Sequence, residues 1–221
     1  MAKVSCRVML IVVVGLFVTV ATSCYRVPGY ADAKLLQAAQ SGEHGDVSSC
    51  IKQATEVIDN CPPHALAHAI RGAAHRKSGE YSQAIADLDR AIELNPKLAD
   101  AYTQRAYAYN QRKLDVSPQQ ILDDLNRAIE LDSTSALAYV LRGTLLEALN
   151  DHDAAICDYN HALRHNPRSF TALAYRARSK ISIGKLDDAR RDIQKALDLN
   201  PPAEDRRQIE ELLQLVKSQE Q

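Results

Sequence analysis

The sequence predicts an all-α fold, an α-solenoid of about five helix pairs closed by one further helix. The first observation is a repeat, in which a small residue recurs at Ala91, Ala128, Ala162 and Ala196. An interval of about 34 residues, as between these alanines, is typical of solenoids. The second is composition, because aromatic residues make up only 5 % of the chain and Trp is absent. A core of Ala, Leu and Ile suits closely packed helices, since Ala and Leu are strong helix formers.

The repeat divides most of the chain into units of similar length. Residues 31–64 form a degenerate first unit, and residues 65–98, 99–135, 136–169 and 170–202 form four better-kept units. The second of these four has three extra residues near Lys113–Val116. They precede Ser117-Pro118, a capping residue followed by a residue favoured in the first helical turn, so we expect the insertion in a turn. Residues 203–221 are predicted to be a capping helix with one apolar stripe.

Small residues mark the places where helices would approach one another. They lie midway along each first helix at Gly72, Ala106, Gly143 and Ala177, and they open second helices at Ala84, Ala155 and Ala189. A bulky residue follows at Leu88, Leu125, Tyr159 and Ile193. This pattern resembles the tetratricopeptide repeat (TPR), a helix–turn–helix unit of about 34 residues. The resemblance implies eleven helices in a right-handed array over residues 31–219, and a protein that binds other proteins without catalysis.

Two charged residues recur in fixed positions of the units. Arginines occupy one register of the first helices at Arg71, Arg105, Arg142 and Arg176, and aspartates occupy one register of the second at Asp87, Asp124, Asp158 and Asp192. In the degenerate unit both become glutamine, at Gln37 and Gln53. Joint presence and joint loss predict structural ion pairs, in which a guanidinium bonds a carboxylate through two N–H groups. A row of arginines that binds an acidic ligand is the alternative.

The N-terminal segment, residues 1–23, is expected to be a cleaved signal peptide. Lys3 and Arg7 precede an uncharged, mostly apolar run over Val8–Val20, which is the layout of a secretory signal. Residues 20–24, VATSC, resemble the processing box of bacterial lipoproteins. The resemblance implies lipidation of Cys24, with residues 24–30 as a tether. An ordinary cleaved signal and an uncleaved membrane anchor remain alternatives. Because Tyr25 is not Asp, the residue that in some Gram-negative lipoproteins signals inner-membrane retention, we expect the outer membrane, facing the periplasm.

Several function classes find no basis in the sequence. The 27 basic and 28 acidic residues nearly balance, which argues against nucleic-acid binding. No common catalytic motif occurs, and we expect neither a cofactor nor a metal site. His161 and His165 are spaced as metal ligands are, yet no third ligand is evident, so a solvated helix face is expected. His68 stands where Tyr102 and Tyr139 stand in other units, which predicts packing, with a pH-sensitive contact as the alternative.

The likeness to TPR proteins also implies where a partner would bind. In that family the first helix of each unit lines the concave face. In register, the expected groove residues are Leu66, Ile70, Arg76, Lys77, Gln104, Tyr107, Asn110, Gln111, Leu137, Val140, Leu141, Tyr175 and Arg178. This mixture of aliphatic, aromatic and amide side chains suits an extended or helical peptide. The alternative for Leu137, Val140 and Leu141 is packing against neighbouring helices.

These expectations combine into one functional hypothesis. The chain is predicted to be a lipid-anchored scaffold of the bacterial envelope that binds proteins or peptides in its groove. An accessory subunit of a secreted or surface enzyme system, with the repeats as a docking platform, is the alternative. The partner, the oligomeric state and any intermolecular disulfide of Cys50, Cys61 or Cys157 are left open by the sequence.

Overall fold

The computed structural model describes residues 30–61, 63–112 and 116–219. These residues contain eleven α-helices and no strand, which confirms the predicted all-α solenoid. The helices are α1 (Tyr30–Glu43), α2 (Val47–Asn60), α3 (Ala65–Lys77), α4 (Tyr81–Leu94), α5 (Ala99–Arg112), α6 (Pro118–Leu131), α7 (Ala136–Ala148), α8 (His152–His165), α9 (Phe170–Ser182), α10 (Leu186–Asp198) and α11 (Ala203–Gln219). The expected signal peptide and Cys24 lie outside the described residues.

The helices form two layers. Each helix packs against the next in the chain, and the first helices α1, α3, α5, α7 and α9 also contact one another in sequence. Within the described ranges, the second helices α2, α4, α6, α8 and α10 make no such contacts with one another. An array whose first helices approach each other while its second helices spread apart must curve toward the first helices. The first helices therefore line the concave face.

The recurring alanines and the bulky residues between them form the core of each helix pair. Ala91, Ala128, Ala162 and Ala196 are fully buried in the second helices. Leu88, Leu125, Tyr159 and Ile193 are at most 1 % exposed. Because a methyl group lets helix axes approach to the short end of the ~8–10 Å range, the alanine column sets the close spacing of the array.

Two glycines permit the closest helix approach. A Cβ atom built on Gly143 would lie 2.7 Å from Cε1 of Tyr159, and one built on Gly72 would lie 2.8 Å from Cγ of Leu88. Both distances are shorter than carbon atoms tolerate. The bulkiest partner, Tyr159, therefore requires glycine opposite it, whereas Ala106 and Ala177 fill the same register in the other units.

The start of α6 and the closing helix follow from their local sequences. Ser117 caps α6, because its hydroxyl accepts a hydrogen bond from the backbone N–H of Gln120. The closing helix α11 buries Ile209 and Val216 against the last helix pair, and Leu215 on the same helix remains 43 % exposed. Among the described residues, no helix is both long enough and apolar enough to cross a membrane.

Candidate binding groove

Each repeated arginine lies against the aspartate of its own unit. Nε and Nη2 of the guanidinium donate to the two carboxylate oxygens, as between Arg142 and Asp158 at 2.8 and 2.7 Å. The same two-bond geometry holds for Arg71 with Asp87, Arg105 with Asp124, and Arg176 with Asp192, at 2.5–2.8 Å. The aspartates are at most 7 % exposed. In these four units the arginine's Nε and Nη2 are engaged in the pair, which leaves them poorly placed to hold an acidic ligand.

The remaining Nη1 of each arginine reaches back to the preceding unit. Its acceptors occupy one register of the second helices: Thr55 (3.2 Å), Asp89 (2.7 Å), Asn126 (2.7 Å) and Asn160 (2.6 Å). Sequence reasoning missed this bond because the four acceptors differ in type. The sequence feature that could have revealed the bond is a side chain with an oxygen acceptor at this one position of every unit. Each guanidinium thus ties a helix pair together and also joins it to the previous pair.

Neighbouring side chains lower the pKa of two of these aspartates. Burial alone would raise the pKa of Asp87, but hydrogen bonds from Arg71 and His68, together with the positive charge of Arg71, outweigh it and lower the pKa. Arg176 and Lys180 lower the pKa of Asp192 against burial in the same way. His68, expected to act by packing, also lies with Nδ1 3.0 Å from Asp87 Oδ1.

The end of the concave face formed by α3 and α5 carries a connected polar platform. Nε of Arg76 donates to Oε1 of Gln104 at 2.6 Å, and its guanidinium carbon lies 4.4 Å from the centre of the Tyr107 ring. Gln104 in turn donates to Asp100 at 3.1 Å. Lys77 donates to the carbonyl of Gly42 at 2.9 Å, which ties the end of α1 to α3. The Arg76 guanidinium thus makes a cation–π contact with the Tyr107 ring on the concave face.

A second platform lies toward the other end, between α7 and α9. Arg178 donates two hydrogen bonds to Glu147, at 2.6 and 3.0 Å, and its guanidinium carbon lies 4.8 Å from the Tyr175 ring centre. The hydroxyl of buried Tyr159 donates to the same Glu147 at 3.1 Å. Burial and the Glu147 charge raise the pKa of Tyr159, so it remains a donor. The arginine charge at this platform is compensated within the protein.

The predicted aliphatic groove residues fall into two groups. Leu66 is 46 % exposed and Leu137 is 43 % exposed, and both occupy the same register of their units. Ile70, Val140 and Leu141 are half-buried and pack against core clusters, which favours the packing alternative for the last two. Asn110 and Gln111 are exposed at the end of α5. The groove thus offers separated leucines beside the aromatic platforms.

Other candidate side chains lie elsewhere. His161 stacks on Tyr139 with ring centres 4.8 Å apart and is half-buried, while His165 is exposed. In the part of the chain that the structure describes, no group of three or more ligating side chains is placed to hold a metal. Cys50 and Cys157 carry free thiols.

Family comparisons agree with this architecture. A model of the TPR repeat matches residues 72–111, and a second model, of the tetratricopeptide repeat, matches residues 140–204. These two segments of the helix array therefore carry the tetratricopeptide repeat.

Individual relatives match parts of the repeat array. A protein SGT1 homolog of Oryza sativa is 41 % identical over 54 residues, which are 24 % of this chain and 15 % of the relative. The small glutamine-rich tetratricopeptide repeat-containing protein 2 of Saccharomyces cerevisiae is 32 % identical over 89 residues, 40 % of this chain and 25 % of the relative. The chain therefore matches a quarter or less of the length of these relatives.

A solved structure shows the same fold over most of the chain. A thermophilic TPR protein of Thermus thermophilus superposes with a TM-score of 0.68, at 20 % identity, over 83 % of this chain and 98 % of that one. The likeness concerns the solenoid architecture.

Proposed function

We propose that this TPR protein holds segments of partner proteins in the concave groove and performs no catalysis itself. The observation that carries the proposal is the combination of two fixed aromatic platforms with exposed leucines on one face. Tyr107 is held under Arg76 and Tyr175 under Arg178, while Leu66 and Leu137 remain exposed. Aromatic and arginine side chains are enriched among the residues that carry binding energy.

The geometry suits a peptide with spaced apolar side chains. Leu66 and Leu137 lie two units apart in the same register, and the unit between them offers Asp100 at that position. A bound segment would place apolar side chains on the two leucines and use the amides of Gln104, Asn110 and Gln111 for its backbone. Amide side chains both donate and accept hydrogen bonds, so they fit a peptide backbone of any sequence.

Affinity capture from detergent-solubilised membranes tests the groove. The wild-type chain is expected to retain a partner, identified by mass spectrometry, and Tyr107→Ala, Asn110→Ala and the double variant Leu66→Ala/Leu137→Ala should each weaken its retention. Loss of a central contact costs more than ~1 kcal/mol. Leu149→Ala is the matched control, because Leu149 is 47 % exposed, lies in the turn after α7 and is not among the residues assigned to the groove.

One pattern of results would contradict the assignment of the groove as the binding site. If Leu149→Ala abolishes capture while the three groove changes leave it unaffected, the partner binds elsewhere. Circular dichroism of every variant must show unchanged helix content, since only then does a lost partner report on binding.

We further propose that the chain is exported and anchored to the bacterial envelope through lipid on Cys24. The proposal is supported by the charged and apolar layout of residues 1–23 and by the residues VATSC that precede and include Cys24. Several acyl chains on one N-terminus would give stable anchoring, because two membrane signals already do so. The groove would then face the compartment that borders the membrane surface.

Metabolic labelling tests the anchor. A bacterium that expresses the chain and is fed labelled fatty acid should incorporate label into the wild type, and Cys24→Ala should abolish both the label and membrane retention. Cys6→Ala is the matched control, since Cys6 lies within the segment that would be removed. Label that persists in Cys24→Ala, or never appears in the wild type, contradicts lipidation of Cys24.

A further inference from the structure

The concave face ends in a cleft between α9 and α11. The cleft has a volume of about 440 Å³, within the ~300–1,000 Å³ range of binding pockets. Its lining includes Phe170, Tyr175, Arg178, Asp205, Leu212 and Leu215. The lining combines aromatic and aliphatic side chains with charged ones.

The helix register shows that this cleft continues the groove. One repeat length beyond α9, Asp205, Ile209 and Leu212 occupy in α11 the positions that Thr171, Tyr175 and Arg178 occupy in α9. In the described part of the chain, no second helix pairs with α11. Glu211, which stands in the register of buried Ala177, is consequently exposed, as is Leu215.

The uncompensated charges of the cleft are negative. Arg178 lines it, but its guanidinium is bonded twice to Glu147. Asp205 and Glu211 both line the cleft. Glu211 lies 3.7 Å from Arg207, and both side chains are more than two-thirds exposed, so this pair is weak in water. A partner that enters the cleft therefore meets apolar contacts flanked by carboxylates.

We propose that this C-terminal cleft binds an amphipathic helical segment of a partner protein, with leucine-like side chains on one face and lysine or arginine beside them. This inference rests on the proposed function, since the cleft is one end of the same groove. A helix fits because the apolar lining of α11 follows helical spacing and the cleft lies between two helices. The basic side chains are assigned by charge complementarity with Asp205 and Glu211.

Binding of designed peptides to the purified full chain in non-ionic detergent tests the proposal. The probe is a fluorescein-labelled amphipathic peptide of leucine and lysine, compared with the same peptide carrying glutamate for lysine. Fluorescence anisotropy should show the lysine peptide bound about tenfold or more tightly, a difference of about 1.4 kcal/mol. The double variant Asp205→Lys/Glu211→Lys should reverse this preference, and Glu211→Lys alone should reduce it.

Two leucine variants test the apolar contacts of the cleft. Leu215→Ala should weaken the lysine peptide about tenfold, whereas Leu149→Ala, which changes an equally exposed leucine outside the cleft, should leave its affinity unchanged. Because peptide partition into detergent is the same for every variant, the comparison isolates the protein site. Circular dichroism checks that α11 remains folded.

Two results would overturn the inference. One is equal binding of the glutamate and lysine peptides. The other is a preference for lysine that survives the charge reversal. If the lysine peptide fails but Leu66→Ala/Leu137→Ala still weakens partner capture, the cleft assignment alone is wrong. If cleft binding behaves as expected while capture ignores the groove variants, the wider proposed function fails instead.

Discussion

Arg105 joins two consecutive repeats through one guanidinium. Nε and Nη2 donate to Asp124 at 2.8 and 2.6 Å, and Nη1 donates to Asp89 of the preceding unit at 2.7 Å. The Asp124 side chain is 7 % exposed and that of Asp89 is 44 % exposed, so the first bond pair is buried and the third is near the surface. Most of the stability that Arg105 contributes is therefore expected to come from the bonds within its own helix pair.

The first prediction concerns this arginine. Arg105→Met should lower the free energy of unfolding by about 3–5 kcal/mol, because it leaves the buried carboxylate of Asp124 without its cation. Urea unfolding followed by circular dichroism measures the change. Arg90→Met is the control, since Arg90 is 51 % exposed and bonds exposed Glu93. That change should cost less than about 0.5 kcal/mol, and equal effects of the two substitutions would contradict a buried brace.

The second prediction concerns helix approach. Gly143→Ala should destabilise the protein by about 1–3 kcal/mol, because the new methyl group would lie 2.7 Å from the Tyr159 ring. This overpacking should exceed the gain of about 1 kcal/mol in helix propensity. In Gly42→Ala the methyl group would meet Cys50 Sγ at an ordinary 3.4 Å, so the variant should be neutral or more stable. Thermal unfolding of both variants decides, and a stabilised Gly143→Ala would show that Tyr159 moves away readily.

The architecture could be predicted from the sequence, because every unit shows the same pattern of residues in its two helices. The alanine column at Ala91, Ala128, Ala162 and Ala196 appears four times and is buried each time. The shared register of Arg142 and Asp158 likewise indicated their contact, since the same pairing recurs in four units. Contacts that recur at the same position of every unit could therefore be predicted from the sequence.

Contacts made by one unit only could not be predicted from the sequence. His161 stacks on Tyr139, and Arg76 lies over Tyr107. In each pair at least one side chain, His161 or Arg76, occurs in no other unit at that position. Helical spacing places such residues on a face but does not say which rotamer brings the rings together. The negative cleft at α11 also required the structure, because it depends on Glu147 bonding Arg178 across two units.

The third prediction concerns acid pH. The unfolded chain has Asp pKa values near ~3.9, while those of Asp87 and Asp192 are lowered in the fold. Their stabilising contribution is therefore complete above about pH 5 and is lost as the pH falls through the unfolded and then the folded pKa. Urea unfolding between neutral and strongly acid pH should show stability falling with pH in this window. NMR titration of the two carboxyl carbons should give midpoints below the ordinary Asp value, and midpoints above it would contradict the cation contacts.

The fourth prediction concerns thiol reactivity. Cys50 is 3 % exposed, and burial raises the pKa of its thiol, so both access and the thiolate fraction are low. Cys157 is exposed on α8. Under native conditions a thiol reagent should therefore label Cys157 at least about tenfold faster than Cys50, with peptide mass mapping identifying each site. In concentrated urea the two rates should converge, because unfolding exposes both thiols. Fast labelling of Cys50 in the native protein would mean that the helix pair α1–α2 opens readily, since Cys50 packs with Ala38 and Ala74 beneath α1 and α3.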